Sequence, residues 1–143
     1  MPRNYDRIAL TEEEQAVLFE EADVARVATV GPDGLPHVVP VAFAIVDGKL
    51  CFETDADSVK VSNIKATGVA AAIVDAGEDE YAEHRGVQWR GDARVVTDSE
   101  FVKDIERALF GTVKSIPDAS GHERVKVELT PEKTVSWDFR KLG

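Results

Sequence analysis

Thr54, Ser58 and Lys60 lie close together in the stretch LCFETDADSVKVSNI, from Leu50 to Ile64. An apolar run, Leu50-Cys51-Phe52, ends in Glu53-Thr54. The acidic turn Asp55-Ala56-Asp57 follows, and Ser58-Val59-Lys60 then opens a short helix. A hydroxyl at a strand end, a hydroxyl at a helix start and an ammonium close behind can converge on one anion. The first helical turn adds unpaired N–H groups and a partial positive charge. Such a set makes a phosphate site. The same spacing also suits a Ser58 that only caps the helix and a Lys60 that is only solvated.

The second chemical signal is Pro40, which interrupts the apolar strand pattern from Pro36 to Val46. Proline cannot donate to a sheet ladder. Either the chain runs along an edge there, or it bends and leaves backbone groups free for a ligand; a bulge at a barrel corner would also explain it. No residue is an obvious general acid or base. His37, His84 and His122 are scattered, and a catalytic histidine needs hydrogen-bond reach to a substrate.

The whole chain sets limits on partners. Its 143 residues suffice for one domain with a proper core, spanning 1–143. It is 43% hydrophobic and 31% charged, with a net charge of −10. An acidic surface repels nucleic acid and anionic membranes, and no strongly basic local face is visible. An oligonucleotide-binding barrel would also need exposed aromatics, which make up only 7% of residues. Cys51, the single cysteine, sits in an apolar strand pattern and reads as buried filler. There is no signal-peptide pattern and no apolar run long enough for a bilayer, so a soluble, cytoplasmic protein is expected.

The elements that must position these residues follow from periodicity and turn chemistry. Thr11 and Glu14 form a capping box for a helix running to about Glu21, burying Val17, Leu18 and Ala22. Ala25–Val30 reads as a strand and meets the tight turn Gly31-Pro32-Asp33-Gly34. The return strand spans Pro36 to Val46, and Asp47-Gly48 turns it into Lys49–Glu53. A helix at Ser58–Ala66 leads into a strand, Gly68–Val74. The loop Asp75–His84 precedes a long strand, Arg85–Val96. Thr97-Asp98-Ser99 starts a helix that buries Phe101, Val102, Ile105, Leu109 and Phe110. A loop with Ile116-Pro117-Asp118 precedes two strands, Glu123–Leu129 and Thr134–Phe139, joined through Thr130-Pro131-Glu132. Short turns between most neighbours predict a mainly β, six- to seven-stranded antiparallel split barrel with peripheral helices.

Three segments together resemble the pyridoxamine 5′-phosphate oxidase-like flavoproteins, a split β-barrel family that includes coenzyme F420-dependent relatives. The hairpin RVATVGPDGLPHVVPVAF is similar to the family's opening strands. The pattern T-x-x-x-S-x-K-x-x-x-I from Thr54 to Ile64 is similar to its cofactor-phosphate loop. Arg85-Gly86-Val87-Gln88-Trp89-Arg90-Gly91 resembles its R-Q-V-x-x-x-G strand. The resemblance implies Thr54, Ser58 and Lys60 on the phosphate of FMN, with the backbone of Val39, Pro40 and Val41 against the isoalloxazine ring. It also implies a homodimer with the cofactor at the subunit interface, to which the Trp89 and Trp137 regions are candidate contributors, while either tryptophan could equally be core packing. Val59 and Gly86 belong to the same implied cofactor-binding set. Members that oxidise pyridoxamine phosphate carry arginine at the positions of Val39 and Val59 and glutamine at that of Gly86. Their arginine- and histidine-rich C-terminal segment is also missing here, so vitamin B6 oxidation is not expected.

The resulting expectation is an FMN-binding oxidoreductase acting on a small organic substrate. The alternatives are an F420-dependent oxidoreductase on the same fold and a non-enzymatic flavin- or haem-binding protein. The polyglutamate tail of F420 would need a basic channel, and Lys60, Lys65, Arg85, Arg90 and Arg94 are its candidates. No metal site is expected.

Overall fold

The computed structural model describes residues 6–77, 79–112 and 121–142. The expected loop residues Ile116, Pro117 and Asp118 lie outside them. Helix α1 (Glu12–Glu21) starts at Thr11, whose hydroxyl accepts from the Glu14 N–H while the Glu14 carboxylate accepts from the Thr11 N–H. The capping box forms as its sequence dictates. The strands are β1 (Val24–Val30), β2 (Pro36–Ala42), β3 (Ala44–Val46), β4 (Lys49–Asp55), β5 (Val69–Ala76), β6 (Arg85–Val95) and β7 (Arg124–Asp138). Helix α2 (Val59–Thr67) joins β4 to β5, and α3 (Ser99–Thr112) follows β6.

All pairings are antiparallel, in the order β2-β1-β5-β6-β7-β4-β3. Consecutive strands β2 and β3 therefore occupy opposite edges, linked only by buried Phe43. One short run of chain cannot reach both edges of a flat sheet. The sheet must curl into a split barrel, as expected.

The main core fills the curl with Leu18, Val27, Leu50, Phe52, Ile64, Val87 and Leu129. Each such side chain contributes about 1.5–3 kcal/mol when fully buried. A second, smaller cluster (Cys51, Val96, Ile105, Leu109) lies under α3. Cys51 is buried there, and burial pushes its thiol up to about 12, with the Glu128 charge adding to the effect. It packs as filler.

Several expectations are corrected. Val17 is 46% exposed and Phe110 59% exposed. Each extends a run of apolar neighbours, and at 100° per residue a helix buries only one stripe: Leu18 and Phe19 in α1, and Phe101, Val102, Ile105 and Leu109 in α3. The last two predicted strands are one continuous strand, β7. Arg90 pairs with Lys133 but Gly91 with Pro131, so Glu132 is the extra residue of a β-bulge. Pro131 is tolerated because a bulge needs no donor from it. The single strand predicted over Pro36 to Val46 divides at Phe43. Pro40 keeps regular register with Arg26, so it marks an edge and not a bulge. Trp89 is core, edge-on to Phe19 with ring centroids 5.1 Å apart.

Candidate cofactor site

At the end of β4 the chain makes one turn and enters α2, and four of the predicted site residues meet there. Ser58 N–H donates to the Asp55 carbonyl at 3.1 Å, closing the turn. Ser58 then caps the helix: its Oγ accepts from the Val61 N–H at 3.3 Å, and its carbonyl accepts from Ser62 at 3.1 Å. By position, the N–H groups of Val59 and Lys60 have no acceptor inside the helix. The capping role expected of Ser58 is real, and it also orients the two free donors and the positive helix end.

Strand alternation fixes what flanks this turn. Thr54 follows Leu50 and Phe52 on the inner face and is 5% exposed. Among the described residues its hydroxyl makes no hydrogen bond. Glu53 and Asp55 take the other face and are matched by β7. Arg124 Nη1 is 2.7 Å from Asp55 Oδ1, and Lys126 Nζ is 2.8 Å from Glu53 Oε1. His122 Nδ1 lies 3.2 Å from Asp57 Oδ2.

Lys60 differs from all of these. It is half-buried, and no described carboxylate lies within ion-pair distance of it. Burial holds its ammonium below the usual lysine range, opposed by the Asp55 charge and reinforced by Arg124. A desolvated, unpaired ammonium costs free energy that a resident anion would recover. An orphaned hydroxyl, two free N–H donors and this ammonium fit a phosphate. Val59 is 54% exposed and offers the site only its backbone.

Val39, Pro40 and Val41 lie in β2, paired on one side with Val27, Arg26 and Ala25. The other side is the open edge, so part of this backbone remains free for a ligand. Val39 and Val41 are half-buried and Pro40 is exposed. β2 and β4 approach one another where the barrel is split. The apolar strand and the phosphate-type turn therefore share one end of the molecule.

Gly86 does not join them. It pairs with Trp137 at the far end of β7, whereas Thr54 pairs with Val125. The separation along β7 is roughly 40 Å at the usual rise per residue. The glycine is demanded locally, because a Cβ there would overlap the Trp137 indole. That indole N–H donates to His84 Nδ1 at 3.0 Å. An indole only donates, so Nδ1 accepts and Nε2 is the nitrogen that donates to Asp75 Oδ2, 3.0 Å away. Asp75 also receives Arg26 Nη1 at 2.9 Å. No sequence pattern pointed to this chain of contacts, nor to Arg124 beside Lys60, because both depend on strand pairing across long separations. The Nδ1 of His37, on β2, is buried without a partner.

Of the five cations considered for a basic channel, Arg85 is tied to Glu21 and Arg94 to Glu128. No ion pair to Lys60, Lys65 or Arg90 occurs among the described residues. Among the described residues there is no cluster suited to a metal ion and no helix long and apolar enough to cross a membrane.

Comparison with known proteins gives a consistent result. The family model of pyridoxamine 5′-phosphate oxidase matches residues 10–138. No curated protein matches the chain. Among solved structures, a conserved hypothetical protein of Mycobacterium tuberculosis is 29% identical, with a TM-score of 0.87 over 99% of this chain and 93% of its own. An F420 reductase is 25% identical, with a TM-score of 0.63 over 94% of this chain and 98% of its own. The FAD binding protein of Mycobacterium smegmatis is 19% identical, with a TM-score of 0.69 over 91% and 98%, a likeness of fold. The match over nearly the whole chain and the split barrel agree: this protein belongs to the pyridoxamine 5′-phosphate oxidase family.

Proposed function

We propose that the chain is a flavin-binding oxidoreductase acting on a small organic substrate. Thr54 Oγ1, the Ser58 hydroxyl, the N–H groups of Val59 and Lys60, and the Lys60 ammonium hold the phosphate of FMN. The edge backbone at Val39, Pro40 and Val41 lies along the isoalloxazine. The bound flavin supplies the electron or hydride transfer, while the chain positions it and excludes water from one face. The observation that carries this reading is the pairing of a Thr54 hydroxyl left without a hydrogen bond among the described residues with an unpaired, partly desolvated ammonium at a helix start.

Gly86 can serve the same cofactor only from another copy, since one chain holds it far from Thr54. This supports a homodimer with the cofactor between subunits. Light scattering should report about twice the 15.6 kDa chain mass. Particles of single-chain mass would oppose the dimer.

Lys60→Ala tests the phosphate assignment directly. Loss of one charge-assisted hydrogen bond, worth ~1.5–3 kcal/mol, should weaken FMN binding at least about tenfold in a fluorescence-quenching titration. Unchanged affinity would remove the assignment.

F420 is a second reading, favoured by the 25% identity to an F420 reductase. It shares the phosphate chemistry, so Lys60→Ala weakens both cofactors. Parallel titration of the purified protein with FMN and with F420 separates them, and only the cognate one should bind near stoichiometry.

A further inference from the structure

We propose a second ligand site, on the outer face of the barrel, that takes an amphipathic anion with a flat or aliphatic apolar body. A cavity of about 370 Å³ opens there, at the C-terminal end of α2. The phosphate-type turn is at the other end of this nine-residue helix, about 14 Å away along its axis.

One row of outward residues crosses five strands: Val38, Ala28, Ala71, Arg90 and Lys133, each paired with the next. The two alanines leave a hollow whose apolar floor is completed by Val30 and Val69. Two cations stand at its other end. Arg90 and Lys133 are direct cross-strand neighbours, and like charges in that position repel. The chain carries 27 acidic residues against 17 basic ones, yet no ion pair to either cation occurs among the described residues. Glu132 lies on the same rim and pairs with neither.

The bulge next to this pair is built in. Gly91 faces the Thr130 carbonyl so closely that a Cβ would overlap it, and Glu132 is the inserted residue. Bulges of this kind re-aim side chains beside sites. Two unpaired cations held together beside an apolar hollow of small-molecule size suit a single negative head on an apolar body. A polar polyanion would leave the floor unused. This site stands whether or not the flavin reading does.

The test uses 8-anilinonaphthalene-1-sulfonate and its uncharged counterpart N-phenyl-1-naphthylamine with the full chain. The anionic dye should bind saturably, one per chain, and persist at saturating FMN and in Lys60→Ala. The double variant Arg90→Gln/Lys133→Gln should weaken the anionic dye at least about tenfold and leave the neutral dye unchanged. Its urea midpoint should hold or rise, because a repulsive pair is relieved. Ala71→Leu, which fills the hollow, should weaken both dyes. Non-saturable binding, displacement by FMN, or undiminished affinity in the double variant would overturn the proposal. So would a change of particle mass in that variant, which would assign the face to a second copy of the chain.

Discussion

Glu128 and Lys60 are both charged groups drawn out of water around β4, and the chain treats them in opposite ways. Glu128 is 2% exposed and is met from two sides, by Lys49 Nζ at 3.3 Å and by the Arg94 guanidinium. Lys60 is less buried and is met by no carboxylate among the described residues. Around it, Asp55 and Glu53 are each taken by a cation of β7, and the His122 imidazole lies beside Asp57. The scaffold therefore pairs its buried charges Glu128 and Lys126 internally, because an unpaired buried charge is costly. A group left open at a helix start, beside an orphaned hydroxyl, points to a partner from outside the chain.

Breaking the closed pair should give the largest effect on stability. Glu128→Ala strands two cations, both reaching solvent in part, and should cost about 2–3 kcal/mol. The urea midpoint measures it, and FMN affinity should hold. A variant as stable as the parent would erase the contrast drawn here.

Gly86→Ala probes a position that is structural within one chain. Pushing a methyl into the Trp137 indole should cost about 1–2 kcal/mol. It should also shift tryptophan fluorescence as the bond to His84 is lost. If the alanine is tolerated without either change, the local explanation of this glycine fails.

Lys60→Met keeps the apolar stem and removes the charge. Free of cofactor, it should change stability by less than about 0.5 kcal/mol or raise it slightly, while FMN binding weakens as in the alanine variant. Equal losses of stability and binding would make Lys60 an ordinary structural residue.

The smallest effect is a pair of opposing pH slopes. Lys60 in the folded state titrates below the 10.5 of a free lysine. Between those two values the unfolded chain binds more protons, so the stability of the cofactor-free protein should rise with pH. Over the same window FMN affinity should fall, because the ammonium proposed to hold the phosphate is being lost. Lys60→Met should flatten both trends, measured by urea midpoints and FMN titrations at stepped pH. Slopes of the same sign would contradict the comparison.

Local chemistry was legible in the residues. The Thr11–Glu14 capping box, the Gly31–Gly34 turn, the Asp47-Gly48 hairpin and the Ser58 cap depend on side chains and backbone groups a few positions apart, and each forms as read. Thr54, Ser58, Val59 and Lys60 likewise flank a single turn, between β4 and α2. Apolar neighbours such as Val17 and Phe110 were misjudged because alternation says which residues can be buried, whereas packing decides which stripe is.

Sequence by itself determined the helices, most of the strands, the split-barrel class and the tight turn that ends in the Ser58 cap, since all rest on short-range spacing. Only the tertiary structure decided that Pro40 lies on an edge, that Pro131 sits in a bulge, that Gly86 belongs to Trp137, and that Arg90 stands opposite Lys133. Those facts depend on register between strands far apart in the chain. Register is set by the packing of whole sheet faces, which no local pattern encodes.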